Sequence, residues 1–274
     1  MEPTIATSQF IVYDNVLPPE QFARVVEYFE SEDWTLMHAD GVKGILRPED
    51  GNPMQRKRVF FYVTVPISTL VPREEQVAEV RRNVDLYPTG TPLDPVYEFM
   101  HKRALEHPEL YGEEKKDWIA ISGKMFAYPA GTGASWHNDG GMYRGAFIYY
   151  THPQWDAQWG GYLLVADPSA RDAHHALVAE QAKATAGEAH RERKHYFGGT
   201  RVLGDEALMK RGLGSYVMPL PNRLVLLSGD NAHMVAKVAA AAGNHCRMSI
   251  AGFFLTPQAM ADTLQPLNRA KGRY

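Results

Sequence analysis

From Trp118 onward the chain is a succession of short apolar runs separated by glycine, proline and asparagine. Most of these runs follow one another without a helical pattern between them, which is typical of an antiparallel sandwich or barrel. The predicted strands cover residues 118–128, 145–150, 161–166, 215–218, 223–227, 233–238 and 246–255. The pattern therefore predicts a mainly β fold for this part of the chain.

The first part of the chain has helical patterns and one clear strand. Val25, Val26 and Phe29 recur at helical spacing after a Pro-Pro pair, which is typical of a helix start. A second helix is predicted over 94–106, a strand over 58–65 and a loop over 39–57. We interpret residues 1 to about 115 as a helical support that packs on the sheet formed by the later strands.

Residues 167–214 interrupt the strand pattern with a charged, alanine-rich stretch that begins like a helix. This insertion is predicted to be an exposed helix or a mobile cover rather than a separate domain. The prediction is therefore a single domain over residues 1–274, with the β core at about 116–255 around the insertion.

The composition excludes some classes of partner. Hydrophobic residues make up 45% and charged residues 22%, with a net charge of -3. Because the basic residues are scattered among acidic ones, neither nucleic acid nor a membrane surface is a predicted partner.

Cys246 is the only cysteine, which excludes an intramolecular disulfide and a thiolate metal cluster. With no signal-like start or membrane-spanning stretch in the sequence, a cytoplasmic location is predicted.

Two histidines and one aspartate form a candidate metal site. His137 and Asp139 are two residues apart, a spacing that turns both side chains to one face of a strand or strand end. His233 follows a strand and turn pattern much later in the chain. Two histidines and a carboxylate are the ligands of a facial triad, which holds Fe(II) with positions left open. A chance grouping is the alternative, because the chain has 11 histidines.

Arg247 and Ser249 are predicted to lie on the same face of the last strand, because side chains alternate along a strand. Burying a cation on an otherwise apolar strand is costly without an anion. A dicarboxylate co-substrate would supply that anion and would form a forked pair with the guanidinium. An internal salt bridge to Asp or Glu is an equal alternative.

Together, these residues and their flanking tracts resemble the Fe(II)- and 2-oxoglutarate-dependent oxygenase superfamily, most closely its prolyl-4-hydroxylase-like branch. The matching tracts are the His137-x-Asp139 pair, WDAQWGG at 155–161, PNRLVLLSGDNAH ending at His233, and RMS at 247–249. WDAQWGG resembles the Trp-Asp-x-x-Trp-Gly-Gly signature of that branch and is more specific than the ligands. It is also interpreted as a tight turn with tryptophans in packing roles. The resemblance covers most of residues 8–255, excluding the insertion.

The resemblance implies a mainly β fold with flanking α-helices, a double-stranded β-helix of the jelly-roll, cupin-like type. It implies Fe(II) bound by His137, Asp139 and His233, with 2-oxoglutarate and dioxygen as co-substrates. Arg247 and Ser249 would bind the distal carboxylate of 2-oxoglutarate. Tyr128 matches a position that often helps to hold that carboxylate, although a core tyrosine is the alternative. Asp139 favours hydroxylation of an unactivated C–H bond, because related halogenases replace this carboxylate with a small residue.

The substrate is predicted to be a small molecule, such as an amino acid or a natural-product intermediate. The chain has Thr-His at 151–152 and Tyr162 where the branch commonly has Leu-Asn and Glu, so peptidyl-proline is not implied. Three residues near the expected mouth are candidate substrate contacts: Trp136, Asn138 and Arg144. The oligomeric state is left open, with a homodimer as one option.

Two other classes of function compete with the oxygenase. A cupin-type hydrolase or isomerase would use zinc or another divalent ion, with Arg247 binding an acidic substrate. A non-catalytic sensor would bind 2-oxoglutarate without reacting. The intact set of three ligands and the Arg-x-Ser pair favour the oxygenase.

Overall fold

The computed structural model of the protein describes residues 1–37, 50–70, 77–78, 80, 82, 84–137, 139, 143–169, 172, 214–229 and 231–269. Most of the predicted insertion and residues 39–49 of the predicted loop lie outside these residues. In the described part of the chain, no helix combines the length and apolar composition that a membrane crossing requires.

Strands dominate the second half of the chain and also occur in the first half. The strands are β1 (Ile5–Ala6), β2 (Phe10–Tyr13), β3 (Thr35–Leu36), β4 (Met54–Gln55), β5 (Val59–Val63), β6 (Val84–Leu86), β7 (Ala120–Tyr128), β8 (Ala134–His137), β9 (Tyr143–Tyr150), β10 (Leu163–Ala166), β11 (Gly214–Val217), β12 (Leu224–Ser228), β13 (His233–Val235) and β14 (Arg247–Leu255). The helices are α1 (Pro19–Glu30), α2 (Ile67–Leu70), α3 (Asp94–Leu105), α4 (Pro108–Tyr111) and α5 (Pro257–Arg269).

The strands form two sheets that face each other. The larger sheet has the order β1-β2-β12-β9-β14-β7-β4-β3, and β5 joins it by pairing with β7 and β6. The smaller sheet has the order β11-β10-β13-β8. The strand pairs are antiparallel except for β5 and β6, so the two sheets form the predicted mainly β fold with flanking helices.

The alternation of side chains along the larger sheet divides the core into two layers. On its outer face, Ile121, Met125 and Ile250 pack with helices α1 and α3 in one buried cluster. On its inner face, Ile148 and Tyr150 pack against residues of the smaller sheet. Because a strand turns successive side chains to opposite faces, β7, β9 and β14 each contribute to both layers.

All seven strands predicted from residue 118 onward have counterparts, with ends that differ by a few residues. β8 was missed, because its four residues follow a glycine-rich turn and become a strand only by pairing with β13. The N-terminal region predicted as a helical support also contains β1 to β6, several of them only two residues long. Such short strands depend on pairing with neighbours rather than on a sequence pattern.

The tract WDAQWGG connects β9 of the larger sheet to β10 of the smaller one. Asp156 begins a short 3-10 helix at Ala157–Trp159 and accepts a hydrogen bond from the amide of Gln158. Trp155 and Trp159 meet edge to face with their ring centroids 5.3 Å apart. The predicted turn with packed tryptophans is therefore present, and the strands that it joins belong to different sheets.

Candidate functional site

The structure brings His137, Asp139 and His233 together at one edge of the smaller sheet. His137 ends β8, His233 begins β13, and the two are direct cross-strand partners. Nε2 of His137 lies 4.0 Å from Oδ1 of Asp139, and Nε2 of His233 lies 3.7 Å from Oδ2. One potential ligand atom from each residue lies within 4.8 Å of the others. These atoms are close enough to share one metal ion.

The backbone fixes the orientation of both imidazole rings. Nδ1 of His137 lies 2.7 Å from the carbonyl oxygen of Ser135, and Nδ1 of His233 lies 2.9 Å from that of Asn231. A carbonyl only accepts hydrogen bonds, so each Nδ1 carries the hydrogen in the neutral ring. Each Nε2 is therefore left with a lone pair, the arrangement that metal-binding histidines adopt.

A buried amide network holds the start of β13 in place. The side chain of Asn231 accepts a hydrogen bond from Gln9 Nε2 at 3.0 Å and donates one to the backbone oxygen of Gln9 at 3.1 Å. It also donates to the hydroxyl of Ser228 at 2.6 Å. These bonds tie the residue that orients His233 to the segment before β2 and to the end of β12. The position of His233 thus depends on strands of the larger sheet.

The donor atoms fit a divalent metal ion. Two imidazole nitrogens and one carboxylate can bind Fe(II) on one face of the ion and leave its other coordination positions open. The same set of ligands also occurs in catalytic zinc sites. The triad alone therefore does not distinguish an oxygenase from a hydrolase. The distinction has to come from the neighbouring pocket.

Arg247 is a buried cation on the inner face of the larger sheet, with only 2% of its surface exposed. Its Nε donates to the carbonyl of Gly161 at 2.9 Å. Its terminal nitrogens make longer contacts, at 3.4 Å to Ser249 Oγ and 3.3 Å to the Tyr150 hydroxyl. Among the described residues, no carboxylate forms an ion pair with Arg247. The alternative of an internal salt bridge is therefore not realised in the described part of the chain.

This arrangement leaves the guanidinium ready for an external anion. A guanidinium has five N–H donors, and the two terminal nitrogens of Arg247 are engaged only by neutral hydroxyls at long distance. A buried charge without a counter-charge is unstable. A carboxylate facing both Arg247 and Ser249 would accept charge-assisted hydrogen bonds from the terminal nitrogens.

Two tyrosines flank the guanidinium. Tyr128 is the cross-strand partner of Arg247, and the guanidinium carbon lies 5.6 Å from its ring centroid. The ring of Tyr150 lies closer, at 4.8 Å. Burial raises the pKa of Tyr128 and outweighs the opposing effect of the Arg247 charge, so the phenol keeps its proton at neutral pH. Tyr128 can therefore donate a hydrogen bond to an anion in this pocket.

Sequence reasoning did not identify Tyr150 or Gly161 as parts of this pocket. Tyr150 lies opposite Ser249 in the sheet register, and this pairing could not be read from the sequence. Gly161 has φ +68°, and a Cβ there would lie 3.0 Å from Cδ of Arg247. Glycine at this position therefore makes room for the arginine and also offers its carbonyl.

The three predicted substrate contacts have different surroundings. Trp136 lies on β8 next to His137 and is partly exposed, while Asn138 lies outside the described residues. Arg144 is half exposed and forms an ion pair with Asp117, which precedes β7. The structure thus gives Arg144 a carboxylate partner within the protein. The substrate roles of all three stay predictions.

His152 is a buried residue whose two ring nitrogens both face carbonyl oxygens. Nε2 lies 2.6 Å from the oxygen of Pro219, and Nδ1 lies 3.1 Å from that of Met248. A neutral ring can donate only one of these two bonds. Burial, together with the positive charge of Arg247, lowers the pKa of His152 to about 4. The hydrogen bonds to the two carbonyls raise the pKa but do not outweigh these effects. The ring is therefore neutral at pH 7.

We expect His152 to make the protein acid-sensitive. The pKa is lowered on folding from 6.5 to about 4, so the unfolded chain binds a proton that the folded chain does not. The associated stability is present above pH 6.5 and is lost as the pH falls towards 4, by about 3 kcal/mol in total. Urea unfolding of the wild type and of His152→Gln between pH 7 and 4 tests this. Equal losses of stability in both proteins would contradict the assignment.

No family model and no curated protein matches this chain. A solved structure that does match is a prolyl hydroxylase from Trichoplax adhaerens, in complex with a hypoxia inducible factor oxygen degradation domain peptide fragment. Its TM-score is 0.53 at 12% identity, covering 94% of this chain and 88% of that one. A prolyl-4-hydroxylase from Pseudomonas putida matches at TM-score 0.49 and 14% identity, over 90% and 92% of the two chains.

An oxidoreductase of the 2OG-Fe(II) oxygenase family from Burkholderia pseudomallei matches at TM-score 0.42 and 10% identity, over 90% and 85% of the two chains. At these sequence identities the comparisons are informative about the fold alone. The argument for the fold uses the Trichoplax structure, whose TM-score is 0.53. The protein has the fold of that prolyl hydroxylase, which is the double-stranded β-helix predicted from the sequence.

Proposed function

We propose that the protein is an Fe(II)- and 2-oxoglutarate-dependent dioxygenase that hydroxylates an unactivated C–H bond of a small molecule. One observation carries the proposal. The cluster of two histidines and one carboxylate occurs in the same double-stranded β-helix as Arg247, a buried guanidinium whose terminal nitrogens contact only hydroxyls among the described residues. A dicarboxylate co-substrate that also chelates the metal needs both features, whereas a hydrolytic metal site needs the guanidinium only if its substrate is an acid.

The residues of the chain have separable roles in this proposal. His137, Asp139 and His233 would hold the metal, and the carboxylate would offset part of its charge. Arg247 and Ser249 would bind the distal carboxylate of 2-oxoglutarate. When bound, Fe(II) and 2-oxoglutarate would supply oxidation of C–H to C–OH by dioxygen, with 2-oxoglutarate converted to succinate and carbon dioxide.

The surroundings of Arg247 support binding of an anion without water. The rings of Tyr128 and Tyr150 lie against the guanidinium, and Ser249 has only 1% of its surface exposed. In such a dry site a charge-assisted hydrogen bond is stronger than in water. The chain would thereby position 2-oxoglutarate by its distal end and leave the other end for the metal.

The small-molecule part of the proposal rests on the sequence departures at residues 151, 152 and 162. The Trichoplax protein was solved with a peptide, so a proline-containing peptide is the competing substrate class. Zinc hydrolysis is the competing activity, because the same three ligands suit zinc. The single-domain organisation and the cytoplasmic location also stay predictions.

The first experiment measures co-substrate binding by the wild-type protein. We expect anaerobic protein loaded with Fe(II) to develop a weak visible charge-transfer band when 2-oxoglutarate is added. Admission of dioxygen should then release succinate, faster with the right substrate from a panel of free amino acids and proline-containing peptides. Tight zinc binding with no band would overturn the oxygenase and favour the hydrolase. Stimulation by peptides alone would overturn the small-molecule substrate.

A further inference from the structure

Lys124 is a charged residue on the inner face of the larger sheet. Phe126 and Tyr128 lie on that face of β7 and pack with residues of the smaller sheet, whereas Met125 lies in the outer layer under the helices. Alternation along the strand therefore turns Lys124 to the same side as Tyr128. This side faces the smaller sheet, which carries the metal-binding residues.

The sheet register places Lys124 beyond the Arg247 pocket. Lys124 pairs with Ala251 across β14, while Ser249 pairs with Phe126 and Arg247 with Tyr128. Along the strand, the backbone of Lys124 is thus about 13 Å from that of Tyr128.

The amine of Lys124 has no partner within the described residues, since none of them offers it a hydrogen bond or an ion pair. Burial lowers its pKa, and no neighbouring charge is a further cause of the shift. A partly buried ammonium is less well hydrated than an exposed one, which disfavours its charged form. An acceptor from outside the chain would remove that cost.

The proposed co-substrate cannot be this acceptor. One carboxylate of 2-oxoglutarate would be held by Arg247 and Ser249, and its keto acid end by the metal. No anionic group of 2-oxoglutarate is then left for Lys124. An anionic group of the molecule that is oxidised would supply the acceptor that the described residues lack.

We infer that Lys124 binds a carboxylate of the substrate, and that the substrate is a small organic acid such as a free amino acid. This inference rests on the proposed function, because it assigns 2-oxoglutarate to Arg247. It adds a substrate-binding residue on β7 to the metal-binding residues of β8 and β13. Lys124 would also make the protein prefer acids over neutral molecules of similar size.

Binding measured without turnover tests the inference. Protein loaded with zinc and 2-oxoglutarate is examined by saturation-transfer NMR against the twenty common amino acids and small aliphatic diacids, each with its primary amide. We expect at least one acid to bind and its amide to bind about tenfold more weakly or worse. Lys124→Met should lose a similar factor for that acid, and Lys124→Arg should retain part of the affinity.

The matched control is Lys116→Met, because Lys116 is an exposed lysine that pairs with Glu113 at 3.2 Å. This control should bind the acid as the wild type does. The melting temperature of Lys124→Met should be no lower than that of the wild type, since an unpartnered amine is removed.

The inference is overturned if no acid binds to the wild type, if amides bind as well as acids, if Lys124→Met binds the acid normally, or if Lys124→Met melts at a lower temperature. A weakening of 2-oxoglutarate binding as large as that of the acid would move Lys124 to the co-substrate pocket and would also overturn it. The proposed function fails differently, through absence of the Fe(II) and 2-oxoglutarate band in the wild type.

Discussion

Arg247→Met is expected to weaken 2-oxoglutarate binding by roughly 30- to 1,000-fold, which corresponds to about 2–4 kcal/mol. The reason is that the variant removes the guanidinium whose terminal nitrogens face Ser249 and Tyr150. Methionine keeps much of the buried volume, so the pocket should not collapse. Titration of the anaerobic Fe(II) protein with 2-oxoglutarate, followed through the charge-transfer band, measures the change.

A second buried arginine provides the control for this variant. Arg223 forms two hydrogen bonds with Asp14, at 2.6 Å and 2.9 Å, and also donates to the carbonyl of Met218. Arg223→Met should therefore lower the free energy of unfolding by about 1–3 kcal/mol and leave 2-oxoglutarate affinity unchanged. Arg247→Met should show the opposite pattern, with stability kept or raised. A loss of stability without a loss of affinity in Arg247→Met would make this arginine purely structural.

Asp139→Ala is expected to weaken Fe(II) binding by at least about 100-fold, because it removes the single charged ligand of the cluster. The two histidine rings should keep their orientation, since each is held by a backbone carbonyl and not by the carboxylate. Calorimetric titration of the anaerobic protein with Fe(II), or with Mn(II) as an air-stable substitute, measures the affinity.

Asp117→Ala is the matched control for the metal experiment. Asp117 is also an aspartate with an ionic partner, but that partner is Arg144 and not a histidine of the cluster. Its loss should leave metal affinity within about twofold of the wild type. Similar metal affinities for Asp139→Ala and the wild type would show that these three residues do not form the metal site.

The long strands of the larger sheet could be predicted from the sequence because each has a strong local pattern. β7, β9 and β14 are eight or nine residues long, and each contains an isoleucine and at least two aromatic residues. β3 and β4 have two residues each and no pattern of their own. Their positions follow from pairing with strands distant in sequence, which no local signal contains.

The same division applies to the site. His137, Asp139 and His233 could be named from residue type and spacing, and Arg247 with Ser249 from alternation along one strand. Tyr150 and Gly161 required the register between strands and the path of the connection between the sheets. The position of Lys124 could also have been predicted, because residues 124, 126 and 128 lie on the same face of a strand.

β14 lies between β7 and β9 in the larger sheet and carries both Arg247 and Ser249. It is also the last of the described strands in chain order. During synthesis β7 and β9 therefore emerge with facing edges that stay unpaired until β14 is released, and such edges invite association with other chains. The strand that carries Arg247 and Ser249 also completes the larger sheet, so these two side chains reach their places only when the sheet is complete.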